Sequence, residues 1–276
     1  MERSEKINAN PVVKWAGGKR KLVETFLRYF PDSNSYNQYF EPFAGGAAVF
    51  FLLQPKNSTL IDINEDLINV YLTIKQNVEL LIKDLKTHIH TSDYFYEIRS
   101  KDTSHMDTVQ RASRTIYLNK TCFNGLYRVN SKNQFNVPFG KYKNPMICDE
   151  KNLRNVSVLL QDVTLISGSY NLVKKLAKPK DFVYFDPPYY PLNQTSNFTS
   201  YTKGDFKPED QIELRDLFKE LCNKGVYCAL SNSSSEFIID LYKEFKIERI
   251  MAARAINSDA TKRSKIEEIL VLGGFK

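Results

Sequence analysis

Asp186, Pro187, Pro188 and Tyr189 follow the apolar run Val183-Tyr184-Phe185, so a strand delivers a carboxylate to its carboxyl end just before a stiff turn. Neither proline offers an N–H, which leaves carbonyls as acceptors beside the Asp186 carboxylate. Such a site accepts an amino group. An amine such as adenine N6 is a poor nucleophile because its lone pair is delocalised into the ring. If the Asp186 carboxylate and the Pro187 carbonyl bind its two hydrogens, they favour the geometry in which the lone pair points outward, and Tyr189 can stack on the ring. A sulfonium methyl held in line about 3 to 3.5 Å away then needs little beyond positioning. Taken alone, the same four residues also describe a structural turn.

A second constellation lies nearer the start. Tyr39-Phe40-Glu41-Pro42-Phe43-Ala44-Gly45-Gly46-Ala47-Ala48-Val49 reads as a strand, a glycine turn and a helix of small residues, which lets a ligand lie against the backbone. The dinucleotide pattern G-x-G-x-x-G is absent. Asp62, seventeen residues beyond Gly45, ends the next strand, where a carboxylate can accept hydrogen bonds from two ribose hydroxyls. Together they suggest a nucleoside-containing cofactor; separately, they describe a tight turn and a helix-capping carboxylate. Lys14-Trp15-Ala16-Gly17-Gly18-Lys19-Arg20 is not a phosphate loop, because Val13 and Arg20 stand where that motif needs Gly and Ser or Thr. It remains a glycine turn presenting Lys14, Trp15 and Lys19, or a core anchor built on the only Trp.

The elements that must position these residues alternate. Helical spacing is expected over 19–30, 47–53, 65–76, 78–90, 108–119, 208–223 and 236–245. Strands are expected over 37–40, 58–63, 163–166, 182–185, 226–230, 247–251 and 269–272. Between 121 and 149 periodicity stops, and aromatics, asparagines and basic residues interleave. The biased run Ser231-Asn232-Ser233-Ser234-Ser235 reads as a strand end passing into a helix cap. An α/β sheet with a mostly helical insertion at about 64–151 is the economical architecture.

Composition narrows the class. The 276 residues are 42% apolar and 26% charged, which excludes disorder and collagen-like structure. No stretch approaches the roughly 20 apolar residues of a membrane helix, and Met1 to Lys6 is not backed by the apolar core of a signal peptide, so a cytoplasmic location is expected. Four cysteines without a C-x-x-C pair and three histidines give no zinc spacing, so no metal is expected and the thiols read as free. The excess of 39 Lys and Arg over 32 Asp and Glu, a net +7, favours a polyanionic partner.

In order and spacing, five motifs carry a resemblance: Lys14-Trp15-Ala16-Gly17-Gly18-Lys19, Glu41-Pro42-Phe43-Ala44-Gly45-Gly46, Phe123-Asn124-Gly125-Leu126-Tyr127-Arg128-Val129-Asn130, Asp186-Pro187-Pro188-Tyr189 and Asn197-Phe198-Thr199-Ser200-Tyr201. The chain resembles the Dam-type DNA adenine-N6 methyltransferases, including members of GATC-directed restriction-modification systems. The resemblance covers nearly the whole chain. It implies a Rossmann-like S-adenosylmethionine-dependent methyltransferase sheet with an inserted, mostly helical target-recognition domain. Residues 1–63 and 152–276 would form the catalytic domain and 64–151 the recognition domain.

The resemblance also implies roles. Trp15, Lys19, Phe43, Ala44, Gly45, Asp62, Ser169, Tyr170 and Asp186 would hold S-adenosyl-L-methionine, and Asp186, Pro187 and Tyr189 would act on the target base. Toward double-stranded DNA, Lys14 and Arg128 would face guanines, Leu126 and Pro138 the thymine methyl, and Phe123 the stack vacated by a flipped adenine. Asn130, Asn136, Lys141 and Lys143 would contact phosphates, with Asn124 and Tyr142 in the same segment. Phe123 stands where some relatives carry Tyr, and Lys141 where some carry Arg, which exchanges a bidentate fork for a point charge. A cognate restriction endonuclease is a candidate partner.

Other readings fit less of the chain. On the residues alone, 123–127 could be a turn with Gly125 at positive φ and Phe123 and Leu126 buried, and Lys-rich 141–151 a solvated face. Cytosine-C5 chemistry needs a nucleophilic cysteine, usually after proline, and none of the 11 prolines precedes one. Cytosine-N4 transfer uses similar amine chemistry. An RNA or protein-amide methyltransferase would more often carry Asn in place of Asp186, and a non-catalytic DNA-binding subunit would not need Asp186 and Asp62 intact.

Overall fold

The computed structural model describes residues 6–15, 24–130, 132, 134–192, 206–253 and 265–275. Its strands are β1 (Tyr39–Glu41), β2 (Ser58–Asp62), β3 (Thr164–Ser167), β4 (Phe182–Phe185), β5 (Tyr227–Ser233), β6 (Lys246–Ala253) and β7 (Lys265–Gly273). β3 lies beside β2, and the other five follow the order β1-β4-β5-β7-β6. β1 with β4, β4 with β5 and β2 with β3 are parallel, whereas β7 runs antiparallel to both β5 and β6. Every residue of β1, β2 and β4 is buried, and in β4 this explains a run of four apolar residues: a parallel strand covered on both faces has no polar side to alternate with. The architecture is the expected mixed α/β sheet.

The chain divides into two compact units. One holds described residues of 6–15 and 44–169, and the other those of 24–43, 170–192 and 206–275.

In the first, β2 and β3 accompany α1 (Ala48–Leu53), α2 (Glu65–Leu85), α3 (Ser92–Ser100), α4 (Thr108–Thr121) and α5 (Glu150–Leu160). α2 to α5 start at side-chain caps from Asn64, Thr91, Asp107 and Asp149, the third completed as a capping box by Gln110. α2 buries Leu67, Val70, Tyr71, Ile74, Leu81 and Leu85, and packs against α4 and α5. Its backbone leaves helical geometry at Asn77 (φ −139°, ψ 39°), the point that separates the expected helices over 65–76 and 78–90. The second of these stops at Leu85 instead. α3 and α5 were not expected. α3 buries only Phe95 and Ile98 among nine residues, so its stripe is too thin to stand out from a polar stretch.

In the second unit, β1, β4, β5, β7 and β6 accompany α6 (Val173–Leu176), α7 (Pro208–Asn223) and α8 (Glu236–Leu241). α7 has the expected bounds. α8 ends four residues early, and β5, β6 and β7 extend beyond their expected ends. The extension of β5 through Ser231-Asn232-Ser233 is possible because the Ser231 hydroxyl and the Asn232 amide are bonded inside the unit and the Ser233 N–H donates to Asn232 Oδ1, although the buried Ser233 hydroxyl has no hydrogen-bond partner among the described residues. Ser235 caps α8 by accepting the Ile238 N–H at 3.4 Å, as the serine run suggests. Of the expected helix over 19–30, the described part is helical at 24–26 and continues as a 3-10 turn at Leu27–Tyr29.

Candidate functional site

Gly45 has φ +48°, a backbone that favours glycine, and a Cβ there would stand 2.8 Å from Trp15 Cδ1. Both polar backbone atoms of Gly45 are held by side chains: its N–H donates to Asp62 Oδ2 at 2.8 Å, and its carbonyl accepts the Tyr71 hydroxyl at 2.8 Å. The Ala44 N–H donates to the Ile61 carbonyl at 3.0 Å, which ties the turn to β2. The glycine turn and the strand-ending carboxylate, read separately in the sequence, are therefore one structure.

Asp62 is not a helix cap. Its Oδ1 accepts the Asn64 N–H at 2.9 Å, while Asn64 itself caps α2 by accepting from Leu67 N at 3.0 Å. Burial pushes the Asp62 carboxyl above the ordinary range, and the N–H groups of Asn64 and Gly45 oppose the shift. Each of its oxygens has two lone pairs, so each can accept a further hydroxyl beside its backbone donor. Next to it, Ile63 is 66% exposed and offers an apolar surface that the sequence reading passed over. The available signal was an apolar residue placed after the strand's final carboxylate.

Trp15 stacks on Tyr127 with ring centroids 4.9 Å apart and packs against the cluster of Phe95, Tyr117 and Phe135. It thus joins a core and covers Gly45 at once. Lys14 is exposed, and its ammonium donates to the Tyr142 hydroxyl at 3.4 Å and lies 4.7 Å over that ring. Asn119, fully buried, accepts the Lys14 N–H at 2.8 Å and donates to the carbonyls of Lys14 at 2.8 Å and Gly125 at 3.1 Å. One amide therefore joins the Lys14 backbone to the turn after α4. Sequence reasoning missed it because an asparagine near a helix end is unremarkable without its distant partners.

That turn, Phe123–Gly125, holds Asn124 at φ 55° and Gly125 at φ +63°, with the Lys14 side chain packed where a Gly125 Cβ would be. Phe123 is 50% exposed, not buried as the simple-turn reading required, and Leu126 is half-buried. The following segment doubles back through bridges Val129 to Phe135 and Cys122 to Phe139. Alternation sends Tyr127, Phe135 and Val137 inward and leaves Arg128 exposed. Arg128 Nε donates to Asn136 Oδ1 at 2.7 Å and its Nη2 to the Asn136 carbonyl at 3.3 Å, so the guanidinium is held by its neighbour. Asn130 closes the turn, accepting from the N–H groups of Lys132 and Gln134 and donating to Gln134 Oε1. Pro138, Lys141 and Lys143 are exposed, and the Pro138 carbonyl accepts the Phe123 N–H at 2.8 Å.

In the second unit, Asp186 follows β4 and is half-buried, with Pro187 buried beside it. Ser231 Oγ donates to Asp186 Oδ1 at 3.0 Å and lies 2.9 Å from the Tyr184 hydroxyl. Burial, with the Asp186 charge adding, pushes the Tyr184 phenol well above its ordinary value, so it stays a neutral donor. The Tyr189 hydroxyl donates to Glu268 Oε2 at 2.8 Å, which orients the ring. Phe43 stacks on Tyr170 at 4.9 Å, and Phe206 meets both rings edge-on at 5.9 and 6.0 Å. Ser169 is exposed. Lys19 and the motif at 197–201 lie outside the described residues.

The model of the D12 class N6 adenine-specific DNA methyltransferase family matches residues 15–256, which takes in both carboxylate sites and the turn between them in sequence. The chain belongs to that family. It is 46% identical to the Type II methyltransferase M1.LlaDCHI of Lactococcus lactis subsp. cremoris, over 98% of this chain and 97% of that protein. Identity is 42% to the Type II methyltransferase M.MjaIII of Methanocaldococcus jannaschii, over 96% and 99% of the two chains. It is 35% to a DNA adenine methylase of Haemophilus influenzae, over 98% and 96%. This adenine-specific DNA methyltransferase therefore acts on DNA. Among the described residues, no helix is long and apolar enough to cross a membrane, and no group of three or more His, Cys, Asp or Glu could hold a metal ion.

Proposed function

We propose that this methyltransferase transfers a methyl group from S-adenosyl-L-methionine to N6 of adenine within GATC of duplex DNA, directly and after flipping the base out of the stack. The observation that carries the finer part is the exposed turn: Phe123 at its tip, Lys14 packed against Gly125, and Arg128 held by Asn136. An exposed aromatic can fill the gap a flipped base leaves, at an extraction cost of a few kcal/mol. A guanidinium fork matches guanine O6 and N7, and the apolar groups of Leu126 and Pro138 suit a thymine methyl.

The chain's residues fit the cofactor. In the first unit Asp62 retains acceptor capacity for ribose hydroxyls, Gly45 lacks the Cβ that would fill the turn, and the exposed Ile63 offers apolar surface for a base; in the second, Phe43 and Tyr170 present stacked rings. Trp15, Lys19, Ala44 and Ser169 complete the proposed set. S-adenosyl-L-methionine supplies an electrophilic methyl on its sulfonium. Asp186 and the Pro187 carbonyl accept the N6 hydrogens and turn the amine lone pair outward, while Tyr189 stacks on the base. Residues 64–151 carry recognition, with Asn124, Asn130, Asn136, Lys141, Tyr142 and Lys143 along the backbone, and 1–63 with 152–276 carry catalysis. The Type II names of two relatives support a restriction-modification setting with a cognate endonuclease.

The test is transfer of radiolabelled methyl from S-adenosyl-L-methionine to duplexes differing only in GATC versus GTTC. Label on GATC alone is expected; equal label on both sinks the recognition assignment. Arg128→Ala is expected to cost about 1 to 3 kcal/mol of discrimination at one guanine, read as relative kcat/KM on substituted sites. An unchanged site preference would remove Arg128 from the recognition set.

A further inference from the structure

We propose that Ser231 and Asn232, consecutive residues of β5, are positioning residues that grip Asp186-Pro187-Pro188-Tyr189 from the two faces of the sheet. The inference rests on Asp186 as the amine acceptor and adds what holds it in place.

Register explains the first grip. Phe185 pairs with Leu230, so Asp186 and Ser231 are the next residues along two parallel strands, with side chains on one face. Tyr184, two residues before Asp186, shares that face and is fully buried. Ser231 has one hydroxyl proton and gives it to Asp186 Oδ1 at 3.0 Å, so at the 2.9 Å contact the Tyr184 hydroxyl is the donor. The relay Tyr184 to Ser231 to Asp186 opposes rotation of the carboxylate. Hydrogen bonds are directional, so the carboxylate plane decides where an incoming amine must sit.

Asn232 points to the opposite face. Its Oδ1 accepts the Tyr190 N–H at 3.1 Å and the Ser233 N–H at 2.8 Å, and its Nδ2 donates to Gln211 Oε1 at 3.1 Å. Gln211 on α7 in turn donates from Nε2 to the Pro188 carbonyl at 2.9 Å. Two prolines remove the N–H groups a turn would use to hold itself, and this brace substitutes by taking the carbonyl at 188 and the first available N–H beyond Tyr189. Asn232 and Gln211 are both fully buried, so any lost partner leaves an unsatisfied amide and the geometry is strongly favoured.

The experiment is single-turnover methyl transfer on a duplex that the unaltered enzyme methylates, with the Kd for cofactor and for DNA measured on the same preparations. Ser231→Ala is expected to slow transfer by roughly tenfold while both Kd values stay within about twofold, and Ser231→Thr to recover most of the rate by restoring the hydroxyl. Tyr184→Phe, which removes one oxygen, is expected to slow transfer by about threefold, and Gln211→Met to slow it with binding retained. Normal rates in both Ser231→Ala and Tyr184→Phe overturn the proposal. So does a loss of rate matched by equal loss of cofactor and DNA binding, which marks a merely structural role; if Ser231→Ala fails to fold, Tyr184→Phe decides. Asp186→Ala is run alongside: a normal rate there overturns the amine-acceptor reading itself, whereas loss there with normal rates in the other variants overturns the brace alone.

Discussion

Replacing Asp186 by alanine is expected to slow methyl transfer by about a hundredfold to a thousandfold, the scale on which removal of one preorganised hydrogen-bonding group acts in other active sites. In the proposed function the carboxylate pairs with the Pro187 carbonyl to orient the amine, and no other residue of Asp186-Pro187-Pro188-Tyr189 replaces its charge. Ser231 then loses the acceptor of its hydroxyl proton, but Asp186 is only half-buried and the strand beneath it is packed on both faces, so the fold should persist. Single-turnover transfer, with cofactor and DNA binding measured separately, checks the expectation. Near-normal turnover in Asp186→Ala would falsify the assignment of amine orientation to this residue.

Gly45→Ala is expected to be comparably damaging for a different reason. At φ +48° a side chain costs about 1 to 2 kcal/mol of backbone energy, and the new Cβ would meet Trp15 Cδ1 at 2.8 Å. Trp15 cannot yield freely, because it stacks on Tyr127 within a packed aromatic cluster. Shifting Gly45 instead would break its bonds to Asp62 and Tyr71. The expected result is a Tm lower by about 4 to 8 °C, from roughly 2 kcal/mol of destabilisation, and S-adenosyl-L-methionine binding weakened by at least about tenfold. Gly46→Ala is the control. Its nearest neighbour would be Trp15 Cβ at 3.4 Å, an ordinary contact, so Tm and cofactor affinity should change little. Equal tolerance of both substitutions, by thermal melt and titration calorimetry, would show that the Gly45 turn is not the constraint.

β4 was legible because burial on both faces writes it as an unbroken apolar run, with the bounds expected from Phe182 to Phe185. α7 was equally clear, since Pro208 at its start and an apolar stripe through Leu214, Leu217, Phe218 and Leu221 mark both its beginning and its face. α3 and α5 were missed. α3 interrupts its apolar residues with Asp, Glu and Arg, and α5, Glu150–Leu160, starts within a basic stretch whose charges masked its cap at Asp149. The strand expected over 226–230 continues to Ser233, because the Ser231 hydroxyl and the Asn232 amide are satisfied by neighbours that only the folded unit supplies.

The sequence by itself determined which groups are available for chemistry: a carboxylate before two prolines, a glycine turn, a strand-ending Asp62, and an aromatic and basic segment around Phe123 and Arg128. Residue type fixes what a side chain can donate or accept, and short-range spacing fixes the element that carries it. Only the tertiary structure decided the partners. Asp62 holds the Gly45 turn rather than a helix end, Asn119 joins Lys14 to Gly125 across more than one hundred residues, and Ser231 with Asn232 grips a turn over forty residues away. Those pairings follow from strand register and helix packing, which are properties of the whole buried arrangement and leave no trace in the local spacing of the residues they join.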